Sequence, residues 1–188
     1  MPTLASLTDP KPYHILVYGS LLGSNLWNTF GAGPLAYKAL PRPSFSTLQQ
    51  AIFPPFFTFQ TILPLVLAFT WPGEKVLSAG GVAVRNHAGA YGLLEGENRW
   101  IALAPIAAMF ASSLLNLVVL GPATTKVMKE RKHQETRDGK RYYDPGPKTP
   151  EMQKLNSSFM RLHGASSISN LVGLGALLVY GFTLAEKI

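Results

Sequence analysis

Four stretches of the chain, residues 13–37, 48–71, 100–120 and 157–184, are mostly apolar and nearly free of charge, and polar or charged segments separate them. A bilayer crossing takes about 20 apolar residues in helical form, so each stretch predicts a transmembrane helix. The polar residues inside them recur at helical spacing. In the first stretch they fall at His14, Tyr18, Asn25 and Asn28 or Thr29, which share one stripe of a helix. In the third, Pro105, Met109, Ser112 or Ser113 and Asn116 do the same. The fourth opens with Arg161 and His163 and continues through Ser166, Ser167 and Asn170. Polar side chains are costly in hydrocarbon, so such stripes face other helices, a cavity or a function.

The punctuation between the stretches fits this division. Gly19 and Gly23 form a GxxxG pair that predicts close approach of a second helix. Pro54, Pro55 and Pro64 in the second stretch are tolerable in a membrane, where neighbours satisfy the freed carbonyls. Phe53, Phe56, Phe57 and Phe59 are expected to face lipid or a partner, and Trp71 to sit at the lipid interface. Residues 72–99, rich in glycine, read as a loop with a short interfacial helix. Its His87, Glu95 and Glu97 match no metal-ligand spacing. After Pro122 the third helix turns charged and extends out of the membrane to about Arg137. Thr149 as N-cap and Pro150 at the first helical position start the fourth helix before the bilayer.

Composition then adds sidedness. Of 188 residues 47% are hydrophobic and only 14% charged, against a usual charged share of roughly 25%. Cysteine is absent, which excludes disulfides, thiolate metal sites and cysteine nucleophiles. Residues 1–12 lack the basic lead and short apolar core of a cleaved signal. The net charge of +7 is unevenly placed: residues 38–47 and 121–156 hold eleven Lys/Arg, and the opposite side holds five. The positive-inside rule makes the basic segments cytosolic and both termini lumenal or external. The expected partners are the lipid bilayer, its anionic headgroups and other membrane proteins, with no nucleic acid; Arg161 is placed at the headgroups. Endomembranes are the default address and a mitochondrial membrane the alternative.

The segments HILVYGSLLGSNLWNTF, ALPRPSF, IFPPFF, NLVVLGPATT and FMRLHGASSISNL resemble the transmembrane protein 205-like family, across all four stretches and in order. The resemblance implies a four-span integral membrane protein. It marks His14, Trp27, Pro41, Pro54, Asn116 and Pro122 as motif positions, and in the last segment Arg161, His163, Gly164, Ser166, Ser167 and Asn170. An animal member is associated with platinum-drug resistance and vesicular traffic, with no reaction assigned. Gly121 and Ala123 replace an acidic and a basic residue of the family pattern, and the 72–99 segment is longer.

The chemistry on offer is sparse. His14 and His163 invite a bis-histidine haem or metal site, but the predicted spans set them roughly 25 Å apart in depth, too far for one group. Ser166 and Ser167 lie near His163 with no carboxylate in any span to orient it. No catalytic, cofactor or metal site is therefore expected. The expected fold is an all-α bundle of four transmembrane helices, with a cytosolic extension of helix 3 and a longer external loop between helices 2 and 3. Its site is a polar seam of Asn25, Asn28, Ser112, Asn116, His163, Ser167 and Asn170. The seam serves either as packing in a non-enzymatic accessory or scaffold subunit, or as a path for a small solute, drug or lipid.

Overall fold

Helix starts and interruptions follow the prolines. In the computed structural model, which describes residues 9–77 and 83–187, helix α1 (residues 10–39) opens with Asp9 accepting the Lys11 amide hydrogen at 3.0 Å and Pro10 in the first turn. Its turn widens to π geometry over Trp27–Ala32, just ahead of Pro34. Helix α2 (Arg42–Phe69) carries three internal prolines without breaking. Helix α3 (Arg99–Asp138) has two widened turns, Arg99–Leu103 and Asn116–Leu120, ahead of Pro105 and Pro122. Proline has no amide hydrogen and its ring crowds the preceding turn. A π turn shifts the hydrogen bonding by one residue and lets the helix continue. Helix α4 (Pro150–Lys187) has no interruption.

The fold is helical apart from a two-stranded antiparallel hairpin of β1 (Glu74–Leu77) and β2 (Ala83–Asn86), followed by one helical turn at Gly89–Gly92. The expectation of a loop for 72–99 missed this pairing; the hairpin tip lies outside the described residues. Nearby, the His87 ring meets the Glu95 carboxylate as an exposed pair.

Helices α2, α3 and α4 are long and apolar enough to cross a membrane, with mean hydropathies of 1.7, 2.1 and 1.7. Helix α1 is not among them, because His14, Asn25, Asn28 and Thr29 dilute its apolar character. The bundle is apolar outside as well as in: Leu16, Phe30, Ile62, Val118, Ile168 and Phe182 are all exposed. An apolar outer surface of this extent suits lipid and not water. The chain is an integral membrane protein.

The apolar core lies toward the end of the bundle away from the basic segments. It joins Leu21, Leu67, Trp71, Ile106, Met109, Leu177, Tyr180 and Leu184. Trp71, expected at the lipid interface, is instead fully buried, in ring contact with His14 and Tyr180. Phe57 is also buried, with Phe53 stacked on it at 5.4 Å, while Phe59 is exposed.

At the opposite end α3 and α4 run on as a helical pair. Gly139, at φ 60°, ends α3 in the left-handed conformation. Thr149 caps α4, taking the Met152 amide hydrogen at 3.3 Å and donating its own to Asp138 at 2.8 Å. The extension of α3 and the start of α4 are thus where the sequence placed them.

Close helix approach falls on different glycines from those expected. A Cβ at Gly19 or Gly23 would meet nothing within 4 Å, so the GxxxG pair faces away from the bundle. At Gly173 a Cβ would press on the Ser112 hydroxyl, and at Gly181 on the Tyr18 hydroxyl. These two glycines sit two turns apart on one face of α4 and let α3 and α1 come close. Gly173→Leu and Gly181→Leu are each expected to cost about 1–3 kcal/mol through overpacking. Gly19→Leu and Gly23→Leu should stay near wild type in the same detergent melting experiment.

Candidate functional site

Gln60 is the hub of a hydrogen-bonded seam in the middle of the bundle. It projects from α2 and is buried. Its amide oxygen accepts from Asn25 Nδ2 at 3.3 Å, and its amide nitrogen donates to Ser24 Oγ at 2.9 Å, both on α1. Its backbone carbonyl accepts from Ser113 Oγ on α3 at 2.9 Å. Thr29 then donates to Asn25 at 3.3 Å and accepts from Asn170 Nδ2 of α4 at 3.0 Å. Between α3 and α4, Ser169 donates to the Ser112 carbonyl at 3.0 Å and Asn116 donates to the Ser166 carbonyl at 3.3 Å. All four helices are thereby tied together.

Of the residues expected in the seam, Asn25, Ser112, Asn116 and Asn170 are brought together there. Asn28 is half-buried and outside the bonded network. His163 and Ser167 are not in the seam: both are exposed, with Ser167 bonded to the His163 carbonyl at 2.9 Å and the His163 ring stacked on Phe159 at 5.5 Å. This corrects the expectation for those two residues. Arg161 is exposed, as are Trp27, Pro41, Pro54 and Pro122, and Gly164 has nothing within 4 Å of a Cβ position. The seam members that the sequence reading missed are Gln60, Ser24 and Ser169. Gln60 had a signal, since an amide stands alone there among phenylalanines, leucines and prolines.

His14 makes a second, separate polar node. The ring is fully buried, with Nδ1 at 2.9 Å from Thr70 Oγ1 and Nε2 at 2.7 Å from the Tyr180 hydroxyl. The Thr70 hydroxyl hydrogen is committed to the Val66 carbonyl at 2.7 Å. Thr70 Oγ1 must therefore accept from His14 Nδ1–H, and Nε2 accepts from the tyrosine. The docking partner, Tyr180, lies seventeen residues beyond His163 on α4, roughly 25 Å along the helix. The two histidines do not share a site.

The seam can donate, accept and bind water. Its amides and hydroxyls include no ionisable group. A void of about 10 Å³ lies between Asn25, Gln60, Ser112, Ser113, Asn170 and Gly173, enough for the centre of about one water molecule. Removing the hub should be costly. Gln60→Leu leaves the buried Asn25 Nδ2 without its acceptor and removes the bond to Ser24, and is expected to lower stability by about 1–3 kcal/mol. His163→Ala and Ser167→Ala are expected to stay within about 0.5 kcal/mol, measured by thermal unfolding in detergent.

Comparison with known proteins places this architecture. Residues 16–133 match a family described as a domain of unknown function (DUF4149), and the chain belongs to that family. The match covers most of α1, all of α2 and most of α3. The chain is also similar, at 28% identity over 185 residues, to the "Xanthocillin biosynthesis cluster protein D" of Aspergillus fumigatus, covering 98% of this chain and 95% of the relative. No solved structure matches it.

Proposed function

We propose that this DUF4149 member is a non-enzymatic accessory or scaffold subunit of a membrane complex. In this reading it crosses the bilayer four times, with α1 as the fourth crossing. Both termini and the 72–99 segment are lumenal or external, and the basic ends of α3 and α4 are cytosolic. The resemblance to the transmembrane protein 205-like family supports the count of four. The excess of Lys/Arg in residues 38–47 and 121–156 supports the orientation.

One observation carries the reading: apart from the buried Asn116 amide oxygen, the polar side chains of the seam spend their hydrogen bonds on one another and on neighbouring helix backbones, and leave room for about one water. That is the form of helix packing. The name of the Aspergillus relative, a biosynthesis cluster protein, supports work beside pathway enzymes. The apolar outer faces of the helices and the basic helical pair are surfaces on which partners could dock.

A second reading, passage of a small solute, drug or lipid along the seam, draws on the void itself. Extraction from native membranes in mild detergent separates the two readings. The scaffold reading expects a reproducible co-purifying membrane protein, and proteoliposome flux of small solutes no higher than in empty vesicles. Repeated recovery of a lone chain, together with flux that Asn170→Leu abolishes, would reverse the choice.

A further inference from the structure

The extension of α3 and the first turns of α4 leave a groove of about 500 Å³ between them, within the roughly 300–1,000 Å³ of small-molecule sites. Helical spacing builds its two walls. Val127, Glu130, Gln134 and Arg137 fall on one stripe of α3. Glu151, Lys154, Leu155 and Ser158 form the wall from α4. Val127 and Leu155 make part of the lining apolar, and His133, Gln134 and Ser158 add hydrogen-bonding groups.

The charges in this groove are balanced and unspent. Two carboxylates, Glu130 and Glu151, and two cations, Arg137 and Lys154, line it, and all four are exposed. None of these side chains forms a hydrogen bond or an ion pair among the described residues. Close by, polar groups do find partners: Lys148 bonds the Arg141 and Asp144 carbonyls, and Asp138 accepts from Gln134 and Thr149. Lys126, Lys129 and Lys132 are exposed on α3 but lie outside the groove. A simple anion in the groove would meet two carboxylates, and a simple cation would meet Arg137 and Lys154. A ligand carrying both signs is opposed by neither pair.

We propose that this groove binds a zwitterionic phosphoethanolamine group, a primary ammonium joined to a phosphodiester. Glu130 and Glu151 match the ammonium, and Arg137 and Lys154 match the phosphate. Position selects phosphate as the anion. The groove begins at Val127 and Ser158, within about two helical turns of the end of the apolar stretch of α3 and at the start of that of α4. For a chain embedded in a bilayer that is the headgroup region. A phospholipid headgroup and free glycerophosphoethanolamine share this chemistry. The inference needs only an integral membrane protein, so it stands apart from the scaffold reading.

The test uses the full chain in detergent. Native mass spectrometry follows retention of added phosphatidylethanolamine against phosphatidylcholine. The two lipids have the same net charge, so the basic surface affects them alike, but only the first offers ammonium N–H groups to carboxylates. Wild type is expected to retain phosphatidylethanolamine preferentially. Glu130→Gln and Glu151→Gln should each cut that preference about threefold or more. Arg137→Gln and Lys154→Gln should weaken retention of both lipids by a similar factor, while Lys129→Gln and Lys132→Gln should change neither. All six positions are exposed, so the variants are expected to fold. Displacement by millimolar glycerophosphoethanolamine would show that the headgroup alone suffices, and resistance to it would assign the site to the intact lipid. Equal retention of the two lipids by wild type, a preference kept by both glutamate variants, or losses matched in the Lys129 and Lys132 variants overturns the proposal.

Discussion

A hydrogen-bonding group inside hydrocarbon has no water to fall back on, and its partner must come from the protein. Gln60 meets that constraint for three helices at once. Its oxygen, nitrogen and backbone carbonyl engage Asn25, Ser24 and Ser113, and Asn170 joins through Thr29. Lipid tails offer apolar helices little reason to associate, since one apolar contact replaces another. Directional bonds and close backbone approach at Gly173 and Gly181 decide instead which faces meet. The apolar core beyond the seam then packs around helices already held in register.

The bundle is graded along its length. At one end Trp71, Tyr180 and His14 close the interior with rings and two hydrogen bonds. The amide and hydroxyl seam occupies the middle. At the basic end rings stack on arginines, with Thr149 and Gly139 fixing the joint between α3 and α4. Among the described residues, charge is met where the chain leaves the apolar zone. In the proposed reading the polar interior serves to hold the helices together.

Much of this was legible in the chain. The stripes of α1 and α3 are unambiguous because helical spacing selects a single face, and His14, Asn25, Met109, Ser113 and Asn116 are all buried on it. Helix α4 was harder. His163 precedes Asn170 by seven residues and so shares nearly the same stripe, yet it is exposed. Spacing names a face but not how far along the helix a neighbour covers it. The same limit misplaced the GxxxG pair, since a motif of small residues does not say which way it looks. Gln60 was missed because prolines and phenylalanines dominate α2 and hide a lone amide. The hairpin was missed because strands of four residues in a glycine-rich stretch carry too short a pattern to register.

The central claim, that the seam is closed packing, is most directly tested by water access to its centre. The chain has no cysteine, so a single Ser112→Cys gives an unambiguous probe of nearly the same size. In native membranes this thiol is predicted to resist a charged, water-soluble thiol reagent from both sides, while Thr136→Cys on the exposed extension of α3 reacts readily. Labelling of Ser112→Cys at a rate comparable to Thr136→Cys would contradict the account and turn the seam into an aqueous path.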